Sequence, residues 1–192
     1  SGAQCTVIDG ALSRRSPTAA AKDGVCILST GASLDCDINT VVDETAFVAG
    51  LMTLPERTAG VKSESKFTLL CAGEAKGFDD AGELFLSLKK REQKEAEIYC
   101  RGAFTESHAA GLLKSVPNKE GIRITAEDGS KYLMKSGSFG LLKAHGVSFS
   151  VESGARLAAI TVNPYSAGGW SAPRFHNDRR SIPNRAAYTA SS

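Results

Sequence analysis

Residues 66–101, KFTLLCAGEAKGFDDAGELFLSLKKREQKEAEIYCR, constrain the fold more than any other part of the chain. The stretch opens on Phe67, Thr68, Leu69, Leu70 and Cys71 and leaves through Ala96, Glu97, Ile98, Tyr99 and Cys100. Both runs are too short for helices, carry aromatic or branched residues and are closed by Gly73 and Gly102, which predicts strands. Between them Phe78, Ala81, Leu84, Phe85 and Leu88 recur at intervals of three or four, the spacing of one buried helical face. Asp80, three residues ahead of Glu83, fits a carboxylate that satisfies free amides of a first turn, so the helix is expected to start near Asp79 or Asp80. The unit reads as strand, Gly-bounded turn, helix, strand.

Flanking signals extend the pattern. Val41, Thr45, Val48 and Met52 line one face of a helix over residues 39–52, with Asn39 or Thr40 as its cap and Pro55 beyond its end. Thr105 caps a second helix whose face is Ala109, Leu112, Leu113 and Val116, stopped by Pro117. Ile122 to Thr125 and Lys131 to Met134, separated by Glu127, Asp128 and Gly129, read as a hairpin. A short helix through Phe139, Leu141 and Leu142 then ends at Gly146, and residues 147–151 and 156–162 read as another hairpin.

The chain also echoes itself. Gly111-Leu112-Leu113-Lys114 leads to Gly121, an alternating strand and Glu127-Asp128-Gly129, while Gly140-Leu141-Leu142-Lys143 leads to Gly146, an alternating strand and Glu152-Ser153-Gly154. Duplication of a helix–strand unit accounts for this, and so does chance, since short helix–Gly–strand pieces recur widely. The expected fold is α+β: a small mixed or antiparallel sheet with two to four short helices in a compact domain over residues 39–163. Residues 1–38 and 164–192 are expected as extended N- and C-terminal arms. The tail has no period of two or 3.6, yet it holds Trp170, Arg174, Phe175, Arg179, Arg180, Arg185 and Tyr188, residue types enriched among interface anchors. These seven are the candidate partner-binding residues.

A chain of 192 residues with 42% hydrophobic content can bury a core, and 23 basic against 21 acidic residues give no general field towards nucleic acid or an anionic membrane. Its apolar runs fall well short of the roughly 20 residues needed to span a bilayer. The Ser-Gly-Ala-Gln start resembles neither a signal nor a transit peptide, leaving a removed leader and a tag scar both open. Cys5, Cys26, Cys36, Cys71 and Cys100 include no Cys-x-x-Cys pair and lie far from zinc spacing with His108, His145 and His176. Three readings stay open for them: inert buried thiols, disulfides with one thiol left over, and covalent attachment of a prosthetic group. A cysteine nucleophile would need His108 or His145 beside Cys71 or Cys100, and no local signature marks one. Asp35, Asp37, Asp43 and Glu44 lack calcium-loop spacing and read as a solvated face; Ser136-Gly137-Ser138-Phe139-Gly140 lacks a phosphate-loop pattern.

This cysteine layout, with the basic tail, resembles linker-type subunits of red-algal phycobilisomes, especially the phycoerythrin gamma class. Cys26 and Cys36, ten residues apart, are similar to the spacing at which one bilin is held by two thioethers, and Cys5, Cys71 and Cys100 would hold others singly. The resemblance implies a non-enzymatic linker subunit of a large hetero-oligomer at the chloroplast thylakoid surface, carrying phycoerythrobilin or phycourobilin, with no nucleic acid and no membrane insertion. A secreted, disulfide-containing binding module is the alternative function, and a cysteine-dependent enzyme the third.

Overall fold

Asp80 does what its position predicts: its side chain accepts from the Glu83 amide at 3.0 Å and starts helix α2 (Ala81–Lys89) in a computed structural model that describes residues 25–35, 37–60 and 62–163. Leu84, Phe85 and Leu88 form its buried face. Strands β2 (Phe67–Cys71) and β4 (Ala96–Cys100) flank it as expected. The intervening turn is more than a turn. Ala72 (φ 58°) and Gly73 (φ 81°) reverse the chain in two residues, and Glu74–Phe78 form β3, antiparallel to β2. Two consecutive positive φ values match the twist of the flanking strands, which is why so short a loop closes the hairpin. Phe78 is buried from this strand and not from the helix.

The other helices are α1 (Ile38–Met52), α3 (Glu106–Ser115) and α4 (Ser136–Ala144). Asp37, and not Asn39 or Thr40, caps α1, accepting from both of their amides. Its buried face is Val41, Thr45 and Leu51, with Val48 and Met52 half-buried. Thr105 caps α3 as predicted.

Five strands form the main sheet in the order β3, β2, β4, β6 (Ile122–Ala126), β8 (Ser148–Val151). β2 is antiparallel to β3 and β4, while β4, β6 and β8 run parallel. Alternation sends Leu69, Ile98, Ile124 and Phe149 to one face, where α2, α3 and α4 cover them with Leu84, Leu88, Leu112 and Leu142. Each such side chain contributes roughly 1.5–3 kcal/mol by leaving water. The fold is α+β with mixed sheets, four helices and nine strands among the described residues.

Both expected hairpins in the second half are replaced by parallel pairings. After β6, Asp128 accepts from the Ser130 amide at 2.7 Å and starts a single 3-10 turn, Gly129–Lys131. That turn carries the chain into β7 (Tyr132–Leu133), which pairs with β5 (Phe104–Thr105) in a separate two-stranded sheet. After β8, the Gly154 amide donates to Glu56 Oε1 and the Ala155 amide to Met52 O. These bonds turn the chain away, and β9 (Arg156–Asn163) pairs in parallel with β1 (Val25–Gly31) as a ribbon packed on α1. β1 thus lies within residues 1–38, expected as an arm.

The sequence echo has a spatial counterpart. Gly121 (φ 78°) and Gly146 (φ 85°) each turn the chain from helix into strand, in a conformation L side chains rarely adopt. The strands that follow lie side by side with Arg123 against Ser148, Ile124 against Phe149, Thr125 against Ser150 and Ala126 against Val151. Every pair joins positions that correspond in the echo. Tyr132 is fully buried beneath both copies, its hydroxyl 2.8 Å from Ile124 O and 2.6 Å from Ser150 O.

Candidate functional site

The sheet face away from the helices is polar, because the residues alternating with the core are Thr68, Tyr99, Thr125 and Ser150, neighbours in register across four strands. All four are buried. Thr125 donates to Glu97 Oε1 at 2.9 Å and lies 2.8 Å from the Ser150 hydroxyl. Thr68 Oγ1 accepts from the Ser63 amide at 3.0 Å. Residues 62–66, which precede β2, supply part of the cover for this row, Ser63 meeting Thr68 through both its amide and its hydroxyl.

Glu152 ties that cover down. Its carboxylate takes Lys62 Nζ at 2.8 Å, the Tyr99 hydroxyl at 3.2 Å and the Ala59 amide at 3.4 Å, while Lys62 also stands 5.2 Å from the Tyr99 ring centre. The hydrogen bond to Glu152 raises the Lys62 pKa, and burial, followed by the Glu152 charge, raises that of Tyr99. A charged amine and a neutral phenol are therefore favoured here, and the group acts as a clasp. In the sequence Tyr99 reads only as a strand residue and Glu152 only as part of a turn. The alternation of Ser148 and Ser150 with Phe149 and Val151 was the available signal for a polar face.

The predicted cysteines do not converge. Cys26 is half-buried on β1; Cys71, also half-buried, ends β2 with its Sγ 3.7 Å from Glu95 O; Cys100 on β4 is fully enclosed and desolvation pushes its thiol pKa up. These three are free thiols. A tetrapyrrole on Cys100 would require the core to open. Cys5 and Cys36 lie outside the described residues, as do Trp170, Arg174, Phe175, Arg179, Arg180, Arg185 and Tyr188.

The histidines have other tasks. His108 Nδ1 accepts the Thr105 amide at 3.1 Å, and the ring packs against Phe67 and Phe104. Burial lowers its pKa. His145 ends α4. The Ser136-Gly137-Ser138 start of α4 is filled from within: Glu106 accepts from the Lys135 amide at 2.8 Å and from the Ser138 hydroxyl at 2.6 Å. Glu44, in the acidic run, accepts from the Ser136 hydroxyl at 3.3 Å. Asp37 and Glu44 in that run are thus hydrogen-bond acceptors at helix starts.

A cleft of about 260 Å³ lies where α2 meets the turn after α3, lined by Leu88, Lys89, Arg91, Lys94, Val116 and Pro117 among others. Arg91 donates there to Leu88 O at 3.1 Å and Glu120 O at 3.3 Å, so its guanidinium fastens a helix end to a loop. Among the described residues no three His, Cys, Asp or Glu side chains gather as metal ligands, and no helix is long and apolar enough to cross a membrane. No protein-family model, curated protein or solved structure matches this chain.

Proposed function

We propose that the chain is a connecting subunit of a larger protein assembly, with no chemistry of its own. One observation carries this reading: residues 1–24 and 164–192 join the body at opposite ends of the β1–β9 ribbon. Val25 and Arg156 share one end of the ribbon and Gly31 and Asn163 the other. Six residue steps along the strand, Val25 to Gly31, separate those ends by about 20 Å. Two flanks rooted that far apart suit a body that bridges neighbours. The tail's Arg174, Arg179, Arg180 and Arg185, against the single acid Asp178, favour acidic partner surfaces. The polar clasp and the internally filled start of α4 serve the fold, which leaves the flanks and the ribbon for contact.

The pigment-bearing form of this reading, drawn from the phycobilisome resemblance, would place the subunit at the thylakoid surface with bilins on Cys26 and Cys71, the described thiols that are not enclosed. Its support is the cysteine layout and the basic tail. Intact mass and visible absorbance of the denatured native polypeptide test it, since a thioether-linked bilin survives unfolding and adds a discrete mass. For the connecting role, the full chain and a version ending at Asn163 are expressed in the native host and separated by native size. The full chain is expected in a high-mass fraction and the shortened one as the free body. Equal migration of both as free protein defeats the proposal.

A further inference from the structure

The main sheet protects both of its edges. On β3, Glu74 and Lys76 are exposed charges. At the other edge residues 55–57 lie along β8, with the Arg57 amide donating to Val151 O at 2.7 Å and the Val151 amide to Pro55 O at 3.0 Å. Charged side chains and covering segments are the usual means by which native sheets avoid unwanted strand pairing. β9 is protected as well: Arg156 stands at its start, and one extra residue, Ala158, bulges it between Leu157 and Ala159. A bulge bends a strand and disrupts the ladder it could offer.

Among the described residues β1 has no such device. Val25, Cys26, Ile27, Leu28, Ser29, Thr30 and Gly31 include no charge and no proline, and among the described residues β9 is the only strand paired with them. Val25 is 57% exposed and Ile27 63% exposed. A parallel pair with one face open is also an unusual end point, since parallel strands normally belong to sheets covered on both sides, and two-stranded pieces are marginal alone.

We propose that the free edge of β1 pairs antiparallel with the β1 edge of a second copy of this chain, giving a four-stranded sheet in the order β9, β1, β1, β9 about a two-fold axis at Leu28. The strand is its own complement in that register. Val25 lies opposite Gly31, which has no side chain to obstruct it, Cys26 opposite Thr30, Ile27 opposite Ser29, and Leu28 opposite its counterpart. No like charges meet, and the exposed Val25 and Ile27 of the two copies merge into one shared apolar strip. An acidic or basic peptide would find nothing on this edge to answer its charge. This inference does not rest on the connecting role: a chain can self-pair without other partners, or bridge other proteins as a single copy.

Sedimentation of the purified full chain across a concentration series tests it, with three proteins compared. The wild type is expected at twice the 20.2 kDa chain mass. Ile27→Lys, at an exposed site, is expected to keep the far-UV circular dichroism of the wild type and to weaken self-association about tenfold or more, through lost apolar cover and two lysines near the axis. Lys76→Ala, on the β3 edge, is expected to dimerise as the wild type does. A wild type that stays monomeric overturns the proposal, including one whose β1 amides are slow to exchange because its own flank covers them. A folded Ile27→Lys variant that dimerises as tightly as the wild type overturns it too.

Discussion

Thr125 and Ser150, 25 residues apart in the chain, stand side by side on adjacent parallel strands with their hydroxyls 2.8 Å apart, each at the same place in two echoing segments. Thr125 also donates to Glu97, so one buried hydroxyl links three strands. Removing it strands two partners. Thr125→Val is expected to cost about 1–3 kcal/mol and Ser150→Ala about 1 kcal/mol. The double variant should cost less than the sum, because both changes remove the same contact. Urea unfolding of the four proteins checks this, and strict additivity would show that the two hydroxyls act independently.

Gly121 and Gly146 share a left-handed backbone but not a neighbourhood. A Cβ on Gly121 would sit 2.6 Å from Lys94 O, whereas one on Gly146 would sit 3.1 Å from Glu120 Cα and Cγ. Gly146→Ala should therefore cost mainly the conformational penalty, about 1–2 kcal/mol. Gly121→Ala adds a clash with backbone that cannot swing aside, and should be clearly the more damaging. Thermal midpoints in the reverse order would contradict these contacts.

Acid should weaken the fold in two windows. Burial lowers the His108 pKa below its ordinary 6.5, so the neutral ring favours the folded state. That contribution is complete above about pH 6.5 and is lost as pH falls through the lower folded value. Bonds from the Ser138 hydroxyl and then the Lys135 amide lower the Glu106 pKa below its ordinary 4.5. Its share is present above that value and disappears as pH falls further. Stability measured against pH should lose its upper step in His108→Asn and its lower step in Glu106→Gln. Unchanged profiles would assign acid sensitivity to other groups.

Thiol reactivity should separate the described cysteines. Cys100 is fully buried with a raised pKa, so too little thiolate forms and no reagent reaches it. In the native protein iodoacetamide is expected to modify Cys26 and Cys71 well before Cys100, which should react only on unfolding. Peptide-resolved mass spectrometry reads each site, and equal rates at Cys26 and Cys100 would mean that the core around β4 opens readily.

What could be read from residues alone was what local chemistry decides. Asp80 and Thr105 mark helix starts because the cap bond is made within three residues, and Leu84, Phe85 and Leu88 mark a buried face because the period is intrinsic to the helix. The pairing of residues 122–134 and 147–162 was hidden, because a tight turn between two apolar runs looks the same whether the second strand folds back or moves on to another sheet. Asp128 and Glu56 decide it, and Glu56 lies 98 residues from the Gly154 amide it holds. β3 was missed because an exposed edge strand, Glu-Ala-Lys-Gly-Phe, has no need of apolar alternation. The clasp joins Ala59 and Lys62 ahead of β2, Tyr99 on β4 and Glu152 after β8, three segments that no spacing rule links.

The ribbon ties the start of the described chain to its end, Ser29 reaching Thr161, 132 positions further on, at 2.9 Å. On a ribosome β1 emerges ahead of the other described strands and must then wait, unpartnered, through the synthesis of all of them before β9 exists to receive it. Closing so large a loop comes late and slowly. For the whole of that interval an uncharged strand with Val25 and Ile27 at its surface is open to whatever nascent chain lies nearby, so crowded translation of this message is itself a hazard to the product.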